Sequence, residues 1–269
     1  MPELPEVETV VRELKEALPG KIIKTVDVLW PKTWVARTDR PITGQRIERI
    51  TRKGKYILVH LNDSVLVIHL RMTGQLLFAN ASAKADSKHL RCRIVFTDGS
   101  ELLFNDQRKF GRMYHTETPD GILSKIGKDA FDPYCTVDWF VKQVSARRTG
   151  IKSLLLSQSV IAGLGNIYAD ESLFRAGIHP ASVCQAVPAP RLKRLFDEIQ
   201  YVLKFAVSHM GSTISDYRDA YGNVGETQKF FQVYQQQGKP CPNCGNEIQK
   251  IRVANRGTHV CPHCQILYR

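Results

Sequence analysis

The sequence has no apolar run approaching the ~18 residues that a membrane-crossing helix needs. Its N-terminus carries Glu3, Glu6 and Glu8 and so lacks the basic start of a secretion signal. A soluble, unexported, cytoplasmic protein is expected. Acidic charge is also short: 26 Asp and Glu face 38 Lys and Arg, a net charge of +12. That balance points to a polyanionic partner, most often nucleic acid, less often an anionic membrane surface. No disulfide framework is visible. Of seven cysteines, four crowd the C-terminus, while Cys92, Cys135 and Cys184 are scattered, as ordinary buried thiols in a reducing compartment would be. At 269 residues the chain can hold one large or two ordinary domains, each with a real core.

Val7, Val10, Val11, Leu14 and Leu18 repeat at helical spacing, and Pro19-Gly20 stops that helix. From Lys21 to about Asn105 the period shifts towards two. Strands are expected over Ile22–Trp30, Arg46–Thr51, Tyr56–Leu61, Val65–Leu70, Leu76–Phe78, Arg91–Phe96 and Glu101–Phe104. So many short strands, parted by turn signals such as Asp98-Gly99, imply a sandwich or barrel. The small, polar Ala79–Ser87 stretch reads as a mobile loop. Beyond Lys128 the chain turns helical, with helices expected over Asp138–Val144, from Leu154 through Ile161, over Tyr168–Ala176 and over Pro190–His209. Two helices joined by Gly163-Leu164-Gly165-Asn166 fit either a helix-turn-helix element or a plain helical hairpin. Gly211–Gly225 reads as a mobile loop over a site. The fold expected is α+β: an N-terminal β-sandwich with its helix (1–130), a helical domain (131–225) and a C-terminal hairpin module (226–269).

Four stretches carry chemistry. In Met1-Pro2-Glu3-Leu4-Pro5-Glu6, removal of Met1 would make Pro2 a secondary amine that is partly unprotonated near neutrality and nucleophilic. Glu3 beside it could move protons. Taken alone, the stretch reads first as an ordinary helix start. In Asp106-Gln107-Arg108-Lys109-Phe110-Gly111-Arg112 a Phe sits among cations before a Gly, which is what wedging a base step apart while gripping the backbone requires. Met72 could join Phe110 in filling the space of an extruded nucleotide. Arg52-Lys53-Gly54-Lys55 offers cations at a turn where Gly lets a backbone approach. The C-terminal signal is the most specific: Cys241, Cys244, Cys261 and Cys264 form C-x2-C-x16-C-x2-C, the spacing of one structural four-thiolate Zn2+ site. His259 and His263 lie close by, but four sulfurs saturate the ion. Arg256-Gly257 at the tip between the knuckles suits a phosphate clamp.

Pro-Glu-Leu-Pro-Glu-Val-Glu-Thr at 2–9, His69-Leu-Arg-Met-Thr-Gly, Gln107-Arg-Lys-Phe-Gly, Gly163-Leu-Gly-Asn-Ile-Tyr-Ala-Asp-Glu, Gly177-Ile-His-Pro and the zinc module together resemble the bacterial formamidopyrimidine-DNA glycosylase (Fpg/MutM) family along essentially the whole chain. The resemblance implies a helix-two-turns-helix motif in the helical domain. It also implies a monomeric base-excision-repair enzyme, a bifunctional glycosylase and AP lyase acting on double-stranded DNA that carries oxidised purines or abasic sites. In that reading Pro2 attacks the sugar, Glu3 moves protons with Glu6 in support, and Lys55 and Arg256 serve β- and δ-elimination. His69, His89, Arg147, Lys152, Asn166 and Tyr234 contact phosphates, Met72, Arg108 and Phe110 fill the vacated stack, and Gly211–Gly225 caps the lesion. Arg91, Gln235-Gln236 and Ser157 depart from the usual family residues. Two alternatives stay open: an endonuclease VIII-like glycosylase for oxidised pyrimidines, although that group lacks the Arg-x-Phe wedge, and a non-catalytic damaged-DNA binder of the same fold.

Overall fold

The computed structural model describes residues 2–79 and 88–269, so the loop expected at Ala79–Ser87 falls, beyond Ala79, outside the described residues. The chain forms two compact units, Met1–Ser124 with Val207–Glu226, and Lys125–Ala206 with Thr227–Arg269. These cut across the expected division at 130 and 225. The segment 207–226 returns to the β unit because Tyr217 and Ala220 bury in that unit's core.

The first unit comprises α1 (Leu4–Ala17), β1 (Ile23–Val28), β2 (Trp34–Ala36), β3 (Ile47–Lys53), β4 (Tyr56–Leu61), β5 (Val65–His69), β6 (Gly74–Ala79), β7 (Leu90–Phe96), β8 (Glu101–Asp106), β9 (Arg112–Thr116) and α2 (Asp120–Leu123). One sheet runs β1-β7-β8-β6 and the other β2-β9-β5-β4-β3. Their inner faces share one core with the apolar stripe of α1: Val7, Val10, Val11, Leu14 and Leu18 pack among Ile57, Ile68, Ile94 and Phe104. Each such burial stabilises by roughly 1.5–3 kcal/mol, so the helix that holds residues 2–6 is fixed by packing. The strands β2 and β9 were not expected. β2 is three residues long, too short to show a period. β9 reads Arg-Met-Tyr-His-Thr, and buries His115, whose ring bonds the Ser64 hydroxyl at 2.9 Å, where an apolar residue would have signalled a strand.

The second unit contains β10 (Lys128–Asp129), α3 (Val137–Ser145), α4 (Ile151–Leu156), β11 (Ile161–Ala162), α5 (Asn166–Ala176), α6 (Ala189–Ser208, of which the part to Ala206 belongs here), β12 (Gln249–Val253) and β13 (Arg256–Val260). The apolar helix expected to run from Leu154 through Ile161 ends at Leu156. Gln158 sits at φ 62°, and its amide bridges the turn by donating to the Leu164 carbonyl (2.6 Å) and accepting from Gly163 N–H (2.9 Å). α5 is buried nearly all round, Asp170, Glu171 and Ser172 included, and closes on Gly177 in the left-handed conformation, φ 69°. Among the described residues no helix is long and apolar enough to cross a membrane.

The segment expected to be a mobile loop at Gly211–Gly225 is tied down in the first unit. Glu6 Oε1 accepts from Ser212 N–H (2.7 Å), Tyr217 donates to the Glu6 carbonyl (3.2 Å), and Ala220 N–H donates to Glu13 Oε2 (2.8 Å). Burial pushes the Glu13 carboxyl up to about 7, against the pull of the Ala220 N–H. Folding therefore takes up a proton above the ordinary carboxylate range. This stabilisation is present in acid and is lost as pH rises through about 7. The thermal midpoint of Glu13→Gln, whose side chain stays neutral, should gain on wild type as pH goes from 5 to 8. Parallel pH profiles for the two proteins would contradict this role for Glu13.

Candidate active site and nucleic-acid interface

The first cluster lies at the start of α1. Pro2, Glu3 and Glu6 are buried, Pro5 occupies the first turn, and Glu6 Oε2 accepts from Glu3 N–H at 2.7 Å, the returning half of a capping box. Lys55 joins them from the two-residue turn between β3 and β4, where Gly54 supplies the positive φ, 57°, that a tight hairpin needs. Burial pulls the Lys55 ammonium pKa down, while the charges of Glu3 and Glu6 push it back up. The result is an amine of lowered basicity next to two carboxylates, a proton-transfer site. Arg52, from the same basic run, is a strut: it bonds Glu8 at 2.8 Å and the Gly54 carbonyl at 2.9 Å.

A second constellation is framed by Asp106, whose importance was not legible in the sequence. Its buried carboxylate accepts from Thr73 Oγ1 (2.5 Å), Gly111 N–H (2.7 Å) and Arg108 N–H (3.2 Å), and Arg108 N–H also reaches Thr73 Oγ1 at 3.1 Å. Asp106 thus joins the turn after Met72 to the loop carrying Arg108 and Phe110. Met72 and Phe110 stand 41% and 47% exposed, and the Arg108 guanidinium sits 5.0 Å from the Phe110 ring centroid. A side chain at Gly111 would collide with the Phe104 ring, so Gly is the residue that fits. Arg91, one of the departures, donates from Nε to the Asp106 carbonyl at 2.8 Å and supports the same frame.

His69 ends β5 with its ring edge-on to Tyr56, centroids 4.5 Å apart. Burial, then Arg71 and Lys55, press its pKa down to about 3. Its Nδ1 accepts from Arg71 N–H at 2.9 Å, which leaves the ring proton on Nε2. His69 is therefore a neutral hydrogen-bond donor. A cavity of about 400 Å³ lies between β6, β8 and the 216–222 segment, lined by Gln75, Phe78, His89, Asn105 and Tyr221 among others. Among the described residues no hydrogen-bond partner meets the buried His89 Nδ1 or Asn105 Oδ1.

In the second unit, Lys152 proves to be no surface cation. Lys152 and Asp170 are both 0% exposed and paired at 2.5 Å, and Lys152 Nζ also donates to Thr258 Oγ1 at 2.7 Å. A cation held in this way cannot serve a phosphate without breaking a buried pair, which corrects its expected place among the DNA contacts. Asn166 donates to the Gly257 carbonyl at 2.9 Å, next to exposed Arg256. Tyr234 packs edge-on to His259 at 5.0 Å, and its N–H, with those of Gln232 and Val233, converges on Glu171. Among the described residues no bond joins exposed Arg147 to this group. Asp170 and Glu171 were missed; in sequence an acid pair followed by Ser172 looks like a solvated helix face, and burial alone sets it apart.

The four cysteine sulfurs lie within 4.8 Å of one another. Tetrahedral zinc with bonds of about 2.3 Å requires S···S edges of about 3.8 Å; Cys241–Cys264 measures 3.9 Å and Cys244–Cys261 3.6 Å. Four thiols this close need a cation before they can all ionise. Burial pushes Cys261 and Cys264 up, whereas side-chain donation from Asn246 holds Cys244 down to about 6. His259 turns instead to Asp170, so the cysteines form the ligand set of one structural zinc. The buried cluster beneath them is small, namely Phe174, Val233 and Ile248 with two of the cysteines, so the metal supplies most of the module's stability. Chelation, or Cys244→Ser, should release the zinc and speed amide exchange across Cys241–Cys264 while the first unit still melts cooperatively. Unchanged exchange after verified metal loss would contradict this.

Three family models match the chain: the formamidopyrimidine-DNA glycosylase N-terminal domain over residues 1–113, the formamidopyrimidine-DNA glycosylase H2TH domain over 126–218, and the zinc finger found in FPG and IleRS over 238–266. A formamidopyrimidine-DNA glycosylase of Exiguobacterium sp. is 43% identical, with 98% of this chain and 99% of that one covered. That of Lactobacillus gasseri is 40% identical, with both chains covered completely. Among solved structures, Lactococcus lactis Fpg bound to DNA containing an abasic site superposes with a TM-score of 0.89 at 37% identity, covering 98% of this chain and 99% of that one. The wild-type Lactococcus lactis enzyme with N7-benzyl-Fapy-dG DNA gives the same TM-score, identity and coverage. The chain belongs to the formamidopyrimidine-DNA glycosylase family.

Proposed function

We propose that the chain is a bifunctional DNA glycosylase and AP lyase of base excision repair that removes oxidised purines from duplex DNA and cuts the strand at the resulting site. The observation that carries this reading is the buried group of Pro2, Glu3, Glu6 and Lys55. Once Met1 is removed, the Pro2 nitrogen has a lone pair for C1′. The C1′–base bond breaks as the C1′–N bond forms and the base leaves with a proton; Pro2 then gives up its N–H proton, the C1′–O4′ bond opens with a proton supplied to O4′ through Glu3, and an iminium remains. Lys55, its basicity lowered by burial, takes the C2′ proton and the 3′ phosphate departs; a second elimination, assisted by Arg256, releases the 5′ phosphate. A pure binding protein would need none of this arrangement. The enzyme would work as a monomer on the cytoplasmic, nucleoid-packaged chromosome.

Met72, Arg108 and Phe110, held on the Asp106 frame, would fill the stack that the extruded nucleotide leaves. The cavity beneath 216–222, about 400 Å³, has room for a purine. His69, His89, Arg147, Asn166 and Tyr234 would bond phosphates, but a neutral His69 would release no counterion. Arg256→Ala should therefore flatten the log-log salt dependence of duplex binding by about 0.9, whereas His69→Gln should weaken binding and leave the slope as it is. Equal slope changes in both variants would contradict the neutral assignment.

Extruding a base costs a few kcal/mol of unstacking, whereas an abasic site has no base to extrude. Phe110→Ala should cut excision from an oxidised-purine duplex at least about tenfold, roughly the worth of a lost wedge contact, and spare cleavage of a preformed abasic duplex. A protein whose N-terminus stays blocked by Met1 should lose both activities. If the two proteins lose activity in the same ratio on the two substrates, Phe110 is no wedge. If the blocked protein stays active, the Pro2 mechanism is wrong.

A further inference from the structure

The side chain of Arg256 is exposed, so its direction is set by the backbone of the hairpin tip. That backbone turns through Ala254 and Asn255 at φ 53° and 57°, a two-residue hairpin with both central residues left-handed, and the first of them is neither Gly nor Asn. A turn with so little intrinsic preference has to be fixed from outside, and α4 and α5 supply the fixings. Asn166 donates to the Gly257 carbonyl at 2.9 Å. Lys152 Nζ donates to Thr258 Oγ1 at 2.7 Å, and that hydroxyl donates onward to the Arg256 carbonyl at 3.1 Å. Asp170 Oδ2 accepts from the His259 backbone N–H at 2.9 Å, while Oδ1 holds Lys152 at 2.5 Å.

We propose that Asp170 is the positioning residue of Arg256: one carboxylate grips His259 directly and Thr258 through Lys152, and so sets where the hairpin tip presents the guanidinium. Both members of the Lys152–Asp170 pair are fully buried. A buried ion pair adds little to stability over an apolar pair of the same size, yet it dictates direction, because the carboxylate and ammonium each accept only one arrangement of partners. Asp170 touches neither sugar nor phosphate in this role. The proposal rests on the reading of Arg256 as the group that assists the second elimination.

The test uses the full-length, zinc-loaded protein on a duplex with a preformed abasic site, and reads the ratio of second-elimination product to first. Lys152→Met/Asp170→Leu replaces the pair without stranding a charge. It should keep one zinc and a cooperative melt, lower the product ratio about tenfold as Arg256→Ala does, and, combined with Arg256→Ala, lower it no more than about twofold further, the signature of residues acting as one unit. Asp170→Asn should move the ratio the same way. Base excision from an oxidised-purine duplex should change less than the ratio in each variant. A wild-type ratio in the double variant, full multiplication with Arg256→Ala, or loss of zinc on replacing the pair would each overturn the proposal; the last would mean that the pair holds the module together and does not aim Arg256. A wild-type ratio in Arg256→Ala itself would sink the reading of Arg256, and this proposal with it, a result distinct from the other three.

Discussion

A carboxylate shut away from water has to be given donors, and in this protein the donors are mostly backbone N–H groups of loops and turns. Glu6 sets the pattern: one oxygen takes Glu3 N–H at the chemical terminus, and the other takes Ser212 N–H some two hundred residues on. Asp106 does the same for the loop of Arg108 and Phe110, Glu171 for residues 232–234, and Asp170 for the hairpin that carries Arg256. An unpaired buried charge costs several kcal/mol, so each of these segments is held in one arrangement more firmly than its own turn propensity would hold it.

This explains which parts could be read from the sequence. Periodicity exposed α1 and the six-residue β4, because burial there is an apolar pattern. It missed β9, where buried His115 stands in for an apolar residue, and it ran the helix of Leu154 past Gln158, whose side chain bridges the turn. Composition marked Gly211–Gly225 as a loop, but a loop tethered by Glu6 and Glu13 looks the same in sequence as a free one. The zinc ligands were fully legible, since spacing by itself defines a tetrahedron of thiolates. Pro2, Glu3 and Lys55 were legible as types, but the burial that brings Lys55 to the two carboxylates is tertiary. Lys152 was misread because a cation in a basic stretch gives no hint of a carboxylate one helix later.

The two units carry different shares of the proposed work. The first supplies the amine, the proton-transfer groups and the apolar fillers, and the second supplies Arg256 and polar groups for the backbone, set on zinc and on α5. In both, exposed groups proposed to touch DNA, Arg108 and Phe110 in the first and Arg256 in the second, are placed by a buried acid. Affinity for the polyanion and precision at the lesion thus come from opposite charges: the surplus of Lys and Arg attracts the duplex, and the few buried Asp and Glu aim the groups that act on it.

In the proposed mechanism the Pro2 nitrogen forms the covalent bond to the sugar. Borohydride added during turnover of an 8-oxoguanine duplex reduces an iminium to a stable amine, and digestion followed by mass spectrometry locates the bond. The adduct is expected on the peptide of the processed protein that begins at Pro2. An adduct on Lys55, or cleavage of the duplex with no adduct trapped, would contradict that mechanism.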